Sequence, residues 1–122
     1  MPRQPRLHVP GLVQHVMGRG VAGCEIFRDD HDREGFLNRL AETVGRPEGP
    51  YLYAWALLTN HFHLLLRAGE KPLSKTMARL MTGHAVAFNR RHKRQGHLFQ
   101  NRYKSILVEE EPYFLDWSDT SI

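Results

Sequence analysis

The sequence predicts an α+β domain in the order βαββαβ: one antiparallel sheet with both helices on one face. Three observations predict it. Short runs rich in β-branched, aromatic or leucine residues recur along the chain, bounded by glycine, proline or polar residues. Two longer segments between them place apolar residues at helical spacing. Only Asn60 clearly separates the second and third strand runs, so that pair folds as a tight antiparallel hairpin.

The elements follow in order. "GLVQHVMGRG" (Gly11–Gly20) reads as a strand because Val13 and Val16 supply β-propensity and glycines bound it, although Leu12, His15 and Met17 scatter. "RDDHDREGFLNRLAETVG" carries a helix. Asp29 or Asp30 can cap it, acidic residues fill its first turn, Phe36, Leu37, Leu40 and Val44 form its apolar stripe, and Gly45 closes it. "RPEGP" is a loop. "YLYAWALLT" (Tyr51–Thr59) and "HFHLLLRA" (His61–Ala68) are strands. After "GEKP", Leu73, Met77, Leu80, Met81, His84 and Phe88 recur at helical spacing in "LSKTMARLMTGHAVAFNRRHKR". On that face His84 reads as a core histidine and the methionines as core. "YKSILVEE" (Tyr103–Glu110) reads as the last strand. Pro112 suits a helix first turn, so "EEPYFLDW" begins a further helix. The expected architecture is ferredoxin-like, a single domain over residues 1–122.

A chain of 122 residues, 41% hydrophobic and 25% charged, suits one domain with one modest core. Its apolar runs, "AWALL" and "HLLL", are too short to span a bilayer. The basic N-terminus has no apolar region typical of a secretion signal. The lone Cys24 excludes an intramolecular disulfide and fits a reducing cytoplasm. A formal charge of +4 and a sequence pI near 9.6 favour anionic partners, nucleic acid above all. The charge concentrates in "NRRHKRQGHLFQNRYK" (Asn89–Lys104). There Arg90, Arg91, Lys93, Arg94, Arg102 and Lys104 alternate with His, Phe and Tyr, a mixture suited to the backbone and bases of a single strand.

"NHFHLLL" carries the chemistry. Strand alternation places Phe62, Leu64 and Leu66 on the helix-covered face and His61, His63, Leu65 and Arg67 on the other. The two imidazoles then stand about 7 Å apart along the backbone. From there both can bind one divalent cation with coordination positions left for water and a substrate oxygen. Arg67 on the same face could contact a phosphate. A nucleotide-hydrolase histidine triad needs a third histidine at the next alternate position, which is Leu65, so that reading fails.

"NHFHLLL", followed by "FNRRHKRQGHLFQNRYKSILVEEEPYFLDW", resembles the HUH single-tyrosine transposases of the insertion-sequence-200-like class, nearest the subgroup associated with repetitive extragenic palindromes. The resemblance runs from about Val13 to Trp117. It implies that His61 and His63 bind Mg²⁺ or Mn²⁺ and that the ion polarises a scissile phosphate in single-stranded hairpin DNA. A tyrosine on a later helix then attacks, forming a 5′-phosphotyrosyl link. It also implies that the basic stretch from Arg90 to Lys104 holds the hairpin. Some relatives act as dimers that share tyrosine helices and others act alone, so both states stay open.

By the resemblance, the nucleophilic tyrosine belongs near Thr120, in an Arg-Tyr-Ile stretch. The chain there reads "SDTSI", as a catalytic helix truncated or frame-shifted after about residue 117 reads. Tyr113 is the candidate substitute, and impaired cleavage is expected. The alternative is a non-catalytic hairpin-binding relic or regulator. An RNA-binding module of the same fold would need the "K/R-G-F/Y-G/A-F" pattern, which is missing.

Overall fold

The computed structural model describes residues 10–100 and 102–108. Its elements are β1 (Val13–Arg19), α1 (Asp30–Val44), β2 (Tyr51–Leu58), β3 (His61–Arg67), α2 (Leu73–His92) and β4 (Lys104–Leu107), with a short 3₁₀ turn at Val21–Gly23. The strands pair antiparallel in the order β2-β3-β1-β4, so the expected α+β, βαββαβ architecture is what forms. Among the described residues no helix is long and apolar enough to cross a membrane. Tyr113, Thr120 and the helix expected to begin at Pro112 lie outside the described residues.

The core lies between the sheet and the helices. Val16 from β1 and Phe62, Leu64 and Leu66 from β3 meet Phe36 and Leu40 of α1 and Met77, Leu80, Met81 and Phe88 of α2. Phe62 is fully buried and its ring lies 5.0 Å from that of Phe36. Gly18 is its partner on β1, and a Cβ there would sit 2.3 Å from the Phe62 ring. The ring needs the space that the glycine leaves.

The turn between β2 and β3 is docked rather than loose. Thr59 O accepts hydrogen bonds from Ile26 N (2.8 Å) and Phe27 N (3.2 Å), and Asn60 O accepts one from Gly20 N (2.9 Å). Asp29 caps α1 by accepting from Asp32 N at 3.1 Å. α2 stops at His92, two residues earlier than its sequence pattern suggests. Lys93 takes the left-handed conformation (φ 53°) and its N–H returns to Asn89 O. β4 is shorter than expected: Tyr103 precedes it and turns into the core at 5% exposure. The strand ends at Leu107, and Glu109 and Glu110 lie outside the described residues.

His84 is a core histidine. It is buried on α2 among Phe27, Phe36 and Phe88, and its Nε2–H donates to Ile26 O at 2.7 Å. Burial lowers its pKa below the ordinary 6.5, with the bond to Ile26 opposing. The unfolded chain therefore takes up this proton more readily. Stability is full above pH 6.5 and falls as pH drops below it toward the folded pKa. His84→Phe should flatten the fall in Tm between pH 6.5 and 5, measured by differential scanning fluorimetry. An equally steep fall would place the sensitivity elsewhere.

Candidate metal centre and strand-binding face

The helix-free face of the sheet gathers the chemistry. Burial alternates along β1, with Gln14, Val16 and Gly18 inward and Val13, His15, Met17 and Arg19 outward. On β3, Phe62, Leu64 and Leu66 point into the core, so His61, His63 and Arg67 take the opposite face. Register then brings Arg19 opposite His61, Met17 opposite His63, and Lys104 opposite Met17. On the other side of β3, small residues Ala56 and Ala54 face His63 and Leu65.

His61 and His63 stand with ring centroids 4.9 Å apart at an interplanar angle of 80°. A third histidine joins them: His15 Nε2 lies 2.8 Å from His63 Nδ1. On the other flank, His61 Nδ1 lies 2.6 Å from Asn60 Oδ1. Burial lowers the pKa of all three rings. For His63 the neighbouring His15, His61 and Arg19 add to burial and carry it down to about 4. The rings are thus neutral at neutral pH, the form that donates a lone pair to a metal. The partner of His61 is an amide oxygen, which can only accept, so the proton lies on Nδ1. Two neutral imidazoles side by side on an open face fit a divalent cation. Among the described residues no group of three or more His, Cys, Asp or Glu is placed to hold one.

His15 and Arg19 did not stand out in the sequence. Their signal was the period-two pattern of β1, hidden because a polar Gln14 and a side-chain-less Gly18 occupy two of the three inward positions.

The basic candidates separate into groups. Arg102 and Lys104 line one small recess with Met17, Arg19 and Gln100, beside the histidines. Arg67 lies at the opposite end of β3 from His61, about 20 Å along the strand. There its guanidinium sits 5.2 Å over the exposed Tyr51 ring, which packs 5.1 Å from that of Tyr53. Arg91 grips α1 instead: its two terminal nitrogens reach Asp29 at 2.6 and 2.7 Å, and one also reaches Asp32 at 2.8 Å. The hydrogen bonds from Arg91 hold the Asp29 carboxyl far below its usual range. Burial opposes ionisation of Asp32, but bonds from Arg28 N, His92 and Arg91 outweigh it and lower its pKa. Arg94 stitches the following turn through Asn89 Oδ1, Gly96 O and His97 O, with Cys24 Sγ at 3.9 Å. Arg90 and Lys93 form no ion pair among the described residues.

Of the three described tyrosines, Tyr53 is exposed and packs on Tyr51, Tyr103 is buried in the core, and Tyr51 pairs with Arg67 at the far end of β3; the last two are the ones set apart from the histidines.

The fold has known counterparts. The family model described as "Transposase IS200 like" matches residues 11–115. The chain belongs to the IS200-like transposase family, a class of enzymes that move DNA. Its structure is similar to that of a REP-associated tyrosine transposase bound to a REP hairpin, with a TM-score of 0.69 at 14% identity, over 98% of this chain and 69% of that one. It is also similar to a Deinococcus radiodurans R1 protein classed as a transposase, with a TM-score of 0.66 at 19% identity, over 97% and 95%. No curated protein matches the sequence.

The two groups of cations predict different losses. Arg91→Ala leaves the buried Asp32 carboxylate short of a charged donor and should lower the urea midpoint. Arg90→Ala should stay within about 0.5 kcal/mol. Urea denaturation distinguishes them, and equal costs would contradict the assignment.

Proposed function

We propose that this chain carries out metal-dependent cleavage and joining of single-stranded hairpin DNA, with His61 and His63 as the metal ligands. The observation that carries the proposal is the pair of neutral imidazoles on the helix-free face, flanked by Arg19, Arg102 and Lys104, in a chain of the IS200-like transposase family. Mg²⁺ or Mn²⁺ held there would supply Lewis acidity at the scissile phosphate. The residues of the chain do the rest. Arg19, Arg102 and Lys104 attract the backbone and offset the charge that builds on the phosphoryl oxygens. Tyr51 and Tyr53 offer faces on which unpaired bases can stack, and Arg67 beside them can take a phosphate. Arg90 and Lys93, with Arg91 and Arg94 fixing the shape of the segment between, lie where a hairpin stem could rest.

The proposed reaction is a transesterification. A tyrosine oxygen bonds to phosphorus, the P–O3′ bond breaks, and the 3′-oxygen leaves as a hydroxyl. The linkage retains the phosphodiester energy, so rejoining needs no nucleotide cofactor. Tyr113 is the proposed nucleophile. The distance of Tyr51 from the histidines and the burial of Tyr103 favour a second reading: a hairpin-binding protein that does not cut. A homodimer is compatible with either.

An adduct assay separates them. With end-labelled hairpin DNA and Mn²⁺, the active reading expects an SDS-resistant labelled band, lost in Tyr113→Phe and in the double variant His61→Ala, His63→Ala. A band that survives loss of both histidines contradicts the metal assignment. Hairpin binding in a native gel with no band at all supports the second reading.

A further inference from the structure

The two histidines of the proposed centre are each tied back through the same ring nitrogen, by different elements of the fold. His61 Nδ1 meets Asn60 Oδ1 at 2.6 Å in the β2–β3 turn, and His63 Nδ1 meets His15 Nε2 at 2.8 Å from β1. We infer that Asn60 and His15 are positioning residues: they accept the Nδ1 protons of His61 and His63, so that both rings present the Nε2 lone pair to one divalent cation. The inference rests on the metal-centre reading of the pair.

An imidazole can offer a lone pair from either nitrogen, and the hydrogen bond at one decides which is available at the other. Nδ1 is next to the carbon that joins the ring to the backbone, and Nε2 is at the far edge. Holding both rings by Nδ1 therefore turns both Nε2 edges away from their anchors. An amide oxygen such as Asn60 Oδ1 can only accept, which places the proton on His61 Nδ1. His15 can accept through Nε2 only while its own proton is on Nδ1, so the His15–His63 pair has two arrangements. Only one of them leaves His63 Nε2 as a donor to metal. His15 is not itself a ligand in this scheme, because its Nε2 is engaged with His63.

Asn60 is well placed for the task. Its backbone carbonyl is fixed by Gly20 N at 2.9 Å, and its neighbour Thr59 by Ile26 and Phe27. The turn is thus held by main-chain bonds that a side-chain substitution leaves in place. The Asn60 side chain can be removed without unfolding the hairpin. His15 stands on the exposed face of β1, outside the core cluster, and its replacement removes no core contact.

The test reads the ring protons directly. Protein labelled with ¹⁵N-histidine is examined at pH 7.5, without metal or DNA, by two-bond ¹H–¹⁵N correlation. His61 and His63 should both show a protonated Nδ1 and an unprotonated Nε2. Asn60→Ala should make His61 a mixture of tautomers, and His15→Ala should do the same to His63. Asn60→Asp keeps an acceptor oxygen, His15→Gln supplies one in place of the ring nitrogen, and both should restore the Nδ1–H form. In calorimetric titration the two alanine variants should bind Mn²⁺ about 10–100-fold more weakly than the parent chain, and the rescuing variants less so. Nε2–H in either parent histidine, or tautomers unchanged in the alanine variants, overturns the inference. So does altered tautomerism with unchanged Mn²⁺ affinity. Expected tautomers in a parent chain that binds no Mn²⁺ would overturn the metal reading itself, and the positioning role with it.

Discussion

The alternation of β3 is the constraint on which the rest depends. A strand sends successive side chains to opposite faces, so burying Phe62 forces His61 and His63 outward together. Phe62 is held by Gly18, whose missing side chain admits the ring, and by Phe36 beneath it. Full burial of such a ring contributes about 1.5–3 kcal/mol, and a slip of one residue would expose it and bury both imidazoles. The stability of the core and the geometry of the histidine pair are therefore set by the same contact. The two hydrogen bonds that His61 and His63 make to Asn60 and His15 refine what this register has already placed.

The positive charge of the chain has two distinct uses. Arg91 and Arg94 are largely internal: one clamps the end of α2 to the start of α1 and the other shapes the turn that follows. Farther along, Arg102 and Lys104 line one recess with Arg19, next to the face that carries the histidines. A cluster dense in arginine thus combines fasteners with residues turned toward solvent, and composition alone does not tell them apart.

Much of this was legible in the sequence because it depended on local period. The apolar stripe of α2, the hairpin at Asn60 and the division of β3 into a core face and a histidine face all follow from spacing, which left Asp29 and Asp30 both open as the cap of α1. What was not legible depended on pairing between distant segments. His15 joins His63 only through the β1–β3 register, and Arg19 reaches His61 the same way. The clamp from Arg91 to Asp29 and Asp32 spans some sixty positions, and nothing near Arg91 distinguishes it from Arg90. Spacing alone does not say where the strand carrying Tyr51 and Tyr53 sits; the sheet order puts β2 at an edge, and both rings are exposed.

The most direct measurement is anomalous diffraction from a crystal soaked in Mn²⁺ and collected at a wavelength where manganese scatters anomalously. The account predicts one strong anomalous peak within coordination distance of Nε2 of both His61 and His63, and loss of that peak in the His61→Ala, His63→Ala variant. A peak bound elsewhere, or one that approaches either ring through Nδ1, would contradict it.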